Sequence, residues 1–273
     1  MARGWRLTLA AWRLMRRDPT MIALALLGTG FGALGAGLML YFGGYFSHGV
    51  HSRGHFALVA LIALYPLTFI SVFFNVALAA AAQASFDGRR LGLGEALGAS
   101  RRRLGHIALW SLLAAGVGAV LSEIAARIPG GGRIVAWLFG AAWGLATIFV
   151  VPMLAIEDAG PIEALKGSAR TVKDRWGEGL TGLVGIGAWT AVVAIPAAIL
   201  LGAGLVVNIR HPASGVAMIA VGVIALILVS AMASATRQVF SVALYRYAIG
   251  SPSDGFATAD LERPFELKRK RRH

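Results

Sequence analysis

The sequence predicts an all-α protein: a polytopic transmembrane helical bundle of six spans, arranged as three parallel units of an interfacial helix followed by a two-span hairpin. Three observations predict it. The 273 residues are 57% hydrophobic and only 14% charged, whereas soluble domains carry about 25% charged residues. Six apolar runs each reach the roughly 20 residues that a spanning helix needs. Basic residues are rich in every second connection between those runs, the asymmetry that orients membrane proteins.

The six runs are Met21–Phe46, Phe56–Gln83, Gly105–Ile124, Ile134–Ile156, Leu180–Val207 and Gly215–Tyr247. The first follows a basic segment but is too long for the apolar core of a signal peptide, so it reads as a retained span. The last is longer than a bilayer requires and is expected to tilt or project. Glycine, at 35 residues, is enriched as in spanning helices.

Orientation follows from Lys and Arg. The N-terminal segment carries Arg3, Arg6, Arg13, Arg16 and Arg17. The connection between spans two and three carries Arg89, Arg90 and Arg101 to Arg103, and that between spans four and five carries Lys166, Arg170, Lys173 and Arg175. The tail from Arg246 to the terminal KRKRRH is basic as well. The opposite connections hold only Arg53, Arg127, Arg133 and Arg210. Both termini are therefore predicted on the cytoplasmic side. The formal charge of +13 would suggest nucleic acid in a soluble chain. Here it tracks topology, and nucleic acid is disfavoured as a partner.

The inner connections read as interfacial helices near residues 3–17, 93–103 and 161–175. GEALGASRRRLGHIALW from Gly94 and GPIEALKGSARTVKDRW from Gly160 share Glu-Ala-Leu at Glu95 and Glu163, an offset of 68. Each alternates basic and apolar sides, as helices lying on a membrane do. Trp5, Trp12, Trp110 and Trp176 are placed to anchor such helices at headgroup level. Phe74-Asn75-Val76-Ala77-Leu78 in span two is echoed by Phe240-Ser241-Val242-Ala243-Leu244 in span six. Asp87-Gly88 has an apparent counterpart in Asp254-Gly255. Residues 1–250 thus form one membrane domain and residues 251–273 a basic cytoplasmic tail.

Chemistry-bearing residues are few. With no cysteine, disulfides, cysteine nucleophiles and thioether-linked haem are excluded. No Walker, GxSxG or HExxH pattern occurs, and no cofactor is predicted. His48, His51 and His55 have a spacing that would let three imidazoles share a helical face and meet a metal. Gly49 and Gly54 and the lack of a nearby acid favour a loop instead. Asn75 and Gln83 are polar groups within span two and need partners inside the bundle. Arg237 and Gln238 lie inside span six, where an arginine must snorkel, pair or line water. Glu157 and Asp158, at the inner end of span four, are the expected partners of Arg237; a substrate or ion role is the alternative. Pro66, Pro152 and Pro196 fall in three different spans, each a site for a kink or a cavity wall.

The stretch Phe149 to Glu178, FVVPMLAIEDAGPIEALKGSARTVKDRWGE, resembles bacterial and archaeal membrane proteins grouped as domain of unknown function 6159. The marks are Val151-Pro152, Glu157, Gly160 to Leu165, Ser168 and Trp176-Gly177-Glu178. The layout is more distantly similar to the membrane domains of some glycerophosphodiester phosphodiesterases, without their catalytic domain. The resemblance implies a plasma or inner membrane location and supplies no reaction. The sequence therefore predicts a non-enzymatic, membrane-organising protein that binds lipid, a membrane protein partner or a second copy of itself. The alternative is a small transporter or channel.

Overall fold

The computed structural model describes residues 15–16, 18–46, 56–128, 132–157, 159–176 and 183–251. Among them are nine helices: α1 Pro19–Phe46, α2 Phe56–Phe86, α3 Leu93–Arg102, α4 Leu104–Arg127, α5 Gly132–Ala146, α6 Val150–Ile156, α7 Pro161–Trp176, α8 Leu183–Asn208 and α9 Pro212–Ala248. Five segments are long and apolar enough to cross a bilayer: Pro19–Met39, Leu64–Phe86, Leu104–Ala125, Ile134–Ile156 and Pro212–Ala248. Val193–Asn208 of α8 is a shorter apolar helix. The chain is a polytopic all-α membrane bundle.

The middle of the bundle is α2, which packs on α1, α3, α4, α6 and α9. The buried core gathers at one end, where Val76 to Ala82 of α2, Phe149 to Ala155 around α6 and Val239 to Tyr245 of α9 meet. The far halves of α1, α8 and α9 present large apolar side chains outward, among them Leu34, Leu38, Ile199, Leu205, Val216 and Ile224. In water such a surface would aggregate; in lipid it is the solvated face.

Glycine sets how closely the helices approach. A Cβ on Gly222 of α9 would lie 2.9 Å from the Leu201 backbone nitrogen of α8, and one on Gly204 would lie 2.8 Å from the Ile219 nitrogen. Backbone thus meets backbone along α8–α9, the small-residue packing grammar of membrane helices. Between α1 and α2, a Cβ on Gly28 would stand 2.7 Å from the Phe74 Cβ.

The run Ile134–Ile156 is not one helix. It breaks between α5 and α6 at Thr147–Phe149, and Pro152 explains the break. Proline has no N–H for the carbonyl four residues back and crowds it; that carbonyl belongs to Ile148. The Ser241 hydroxyl of α9 donates to the Ile148 carbonyl at 2.5 Å instead. The Ile148 N–H turns to the Leu145 carbonyl in a tighter turn, so the Phe149 N–H needs another acceptor. It finds the buried Ser168 hydroxyl of α7 at 3.1 Å. Ser241→Ala should cost about 1–3 kcal/mol by leaving a part-buried carbonyl unpaired. In a Pro152→Ala background most of that cost should vanish, because the restored N–H takes over. Thermal unfolding of the four variants in detergent checks it; equal costs in both backgrounds would refute the compensation.

The two described segments expected at the membrane interface are amphipathic helices. Ala96, Ala99 and Ser100 of α3 are buried, as are Pro161, Ala164, Ser168 and Val172 of α7, while Glu163, Lys166, Arg170 and Lys173 are exposed. Ala96 and Ser100 correspond to Ala164 and Ser168 at the same offset of 68. Ser100 donates to the Phe73 carbonyl of α2 at 2.8 Å. Glu95 accepts from the Gly92 N–H at 2.8 Å and so closes the start of α3. The helix expected near 3–17 lies outside the described residues apart from Met15 and Arg16.

Two expectations change. Trp110 is buried and stacks on Trp143, 5.9 Å between centroids; from α4 it faces α5 and the core, not the outer surface of the bundle. The C-terminal turn of α9 is closed by Gly250 at φ 78°, as α2 is closed by Gly88 at φ 72°. Gly255 is not its counterpart, because the helix has already ended. The Arg89 N–H to Ala84 carbonyl and Ser251 N–H to Arg246 carbonyl bonds, both 2.8 Å, are the six-residue closures of a Schellman motif. The Phe74 and Phe240 pentapeptides stand one helical turn out of register relative to these caps.

Candidate functional site

Two polar constellations occupy the described bundle. The first ties the basic ends of the helices together. Arg246 of α9, with its side chain only 8% exposed, pairs with Asp87 at 2.7 Å and lies over the Phe86 ring at 5.7 Å. Asp87 also accepts from the Gln83 amide at 3.3 Å and stands 3.7 Å from Arg89. Tyr245 donates to the Glu157 carboxylate at the end of α6. Arg103, at the α3–α4 junction, donates to the Ala155 carbonyl at 2.5 Å, a cation on the negative end of α6. This clasp joins α2, α6 and α9.

The second is an open groove of about 570 Å³ between α1, α2, α8 and α9, within the size range of sites for small molecules. Its α1 wall is Leu24, Ala25 and Thr29 with the small Gly28, Gly32, Ala33 and Ala36. At Gly32, where an added Cβ would meet nothing within 4 Å, the groove has room. Leu201 of α8 and Val223, Leu226 and Ile227 of α9 form an apolar stretch, followed along α9 by Ser230, Ser234 and Arg237. Asn75 faces them from α2; its amide donates to Ser71 at 3.3 Å, and its carbonyl oxygen lies 3.5 Å from the Ser234 hydroxyl. Among the described residues no Asp or Glu lines the groove.

The groove unites Asn75 with Arg237, two of the sequence-derived candidates, and leaves the others elsewhere. Gln83 belongs to the clasp. Gln238 is buried, does not line the groove, and its amide nitrogen has no partner among the described residues. The expected pairing of Arg237 with Glu157 is replaced by Tyr245 with Glu157. Tyr245 lies eight residues further along α9, about 12 Å nearer the basic end, so the helix register puts Arg237 above the carboxylate. Arg237 forms no ion pair among the described residues. Asp158, His48, His51, His55, Trp5, Trp12 and the Trp176 side chain lie outside the described residues. Sequence reasoning missed Asp87, Tyr245 and Arg246 as a unit; acid and base flanking two span ends was the available signal. It also missed the serines of α9, whose i, i+4 spacing with Asn75 opposite carries no local mark.

Fold and groove define a multi-pass membrane protein with an intramembrane cleft. Residues 55–256 match the family of unknown function DUF6159, and the chain belongs to that family. No curated protein and no solved structure matches it.

Proposed function

We propose that the protein is a six-span, non-enzymatic lipid-binding component of a bacterial or archaeal plasma membrane. Its termini are cytoplasmic, and its spans form three parallel hairpins each preceded by an interfacial helix. The observation that carries the reading is the open, mostly apolar groove in a bundle otherwise tied shut by its clasp. An apolar cleft with a few convergent polar groups is the usual form of a site for an amphiphile. Among the described residues, buried serines and carbonyls serve helix breaks and contacts, and no nucleophile, base and anion hole converge.

The test is lipid retention. Full-length protein purified from native membranes in mild detergent should carry extractable lipid at about one molecule per chain, resisting detergent exchange. Protein that loses all lipid while remaining folded would contradict the reading. The Asn75, Ser71 and Ser234 strip supports a second reading, a small transporter or channel. In that case proteoliposomes should release a trapped solute faster than protein-free vesicles, and Asn75→Leu should abolish the difference. Reporter fusions at residue 1 and residue 273 test the topology; labelling of either from outside would overturn it.

A further inference from the structure

We infer that the groove holds one anionic phospholipid drawn from the leaflet on the basic side of the bundle, with its phosphate on Arg237 and an acyl chain along the glycine face of α1. The inference deepens the lipid-binding reading and rests on it. Three observations converge. First, among the described residues Arg237 is the one cation lining the groove, no acid lines it, and no carboxylate pairs with Arg237. A guanidinium inside a spanning helix is expensive without an anion, and its fork fits phosphate oxygens.

Second, the groove is graded. Along α9 it passes from Val223, Leu226 and Ile227 to Ser230, Ser234 and Arg237. The charged end is the one nearer Arg246, nine residues on, about 13 Å along the axis. A lipid of the basic-side leaflet has the same polarity, head toward the basic ends and tail toward the bilayer centre. A lipid of the other leaflet would enter reversed. Basic residues at that surface also enrich anionic lipid next to the groove.

Third, the tail half is kept open by glycine. A Cβ on Gly32 meets nothing within 4 Å, although Gly32 lines the groove. Glycine there costs helix stability relative to alanine, and the space it leaves is the room an acyl chain needs.

The experiment is native mass spectrometry of the full chain released from nanodiscs of equal parts phosphatidylglycerol and phosphatidylcholine. The wild type should retain one phosphatidylglycerol per chain. Arg237→Gln should lower that retention about tenfold or more, the loss of one charge-assisted contact, and Arg237→Lys should be intermediate. Gly32→Leu should displace the lipid while leaving the unfolding temperature unchanged or raised, so that a folding defect cannot imitate the result. Specific retention that neither variant changes would overturn this site while leaving lipid binding by the protein intact. No retained lipid in the wild type would overturn both. Retention of phosphatidylcholine or of free fatty acid in place of phosphatidylglycerol would overturn the anionic phospholipid assignment, and capture of inorganic phosphate alone would do the same.

Discussion

Replacing Asp87 with alanine is expected to destabilise the bundle by about 3–5 kcal/mol, the cost of breaking a buried ion pair from one side. Arg246 is held at the α2–α9 seam with its side chain 8% exposed, while Asp87 is 32% exposed and has Gln83 and Arg89 beside it. The two ends of the pair are therefore unequal. Arg246→Leu removes the buried member, and the remaining carboxylate keeps solvent and two neighbours, so its cost should be clearly smaller. The double variant should be more stable than Asp87→Ala alone, because the buried guanidinium that lost this carboxylate is gone. Denaturation of the four proteins in detergent gives the cycle. Equal single costs that simply add would refute the clasp as described.

Gly222→Leu is expected to be as damaging, by about 3 kcal/mol or more, since overpacking that must move backbone exceeds the ordinary cost of an added side chain. The Leu201 backbone nitrogen stands 2.9 Å from where the first side-chain atom would go, and no rotamer avoids it. Separation of α8 from α9 would follow, visible as protease cleavage in the 209–211 connection. Gly32→Leu is the internal control. The same substitution in the same protein, placed where the added Cβ meets open space, should leave the protein folded. If both variants unfold alike, close α8–α9 contact is not the reason glycine stands at position 222.

How far the sequence reads depends on the range of the interaction. Helices α1, α2, α4 and α9 follow from apolar length, and α3 and α7 from local amphipathic spacing, so Leu93–Arg102 and Pro161–Trp176 fall close to the expected segments. Pro152 marked a distortion in span four, but its repair by Ser168 and Ser241 joins residues 19 and 93 positions apart and has no local sign. Asn75 and Arg237 were visible as polar groups at intramembrane positions. Their meeting in one groove depends on how α2 and α9 are rotated against each other. The Asn75–Ser234 and Asp87–Arg246 contacts each span 159 positions. For the same reason Arg237 could be singled out but not correctly paired: a helix register is fixed by packing, and two turns separate the expected partner from the observed one. Trp110 shows the same limit, since a tryptophan early in a span fits both a headgroup anchor and a core stack. The glycines of α8–α9 needed the facing backbone to be recognised.

The groove also explains a division of labour along α9. Its last third, from Ala235 to Arg246, is buried apart from Arg237 and is bonded to the end of α6, to the α5–α6 break and, through Arg246, to Asp87 beyond α2. Its middle borders open space, and its first part packs against α8 through glycine.

The most direct test is a structure of the full chain in nanodiscs made from native lipid. The account predicts elongated density in the groove between α1, α2, α8 and α9, its thick end on Arg237 and its tail beside Gly32, with Asp87 on Arg246 and Tyr245 on Glu157. A groove filled by the chain's own side chains, with Arg237 paired to Glu157, would contradict it.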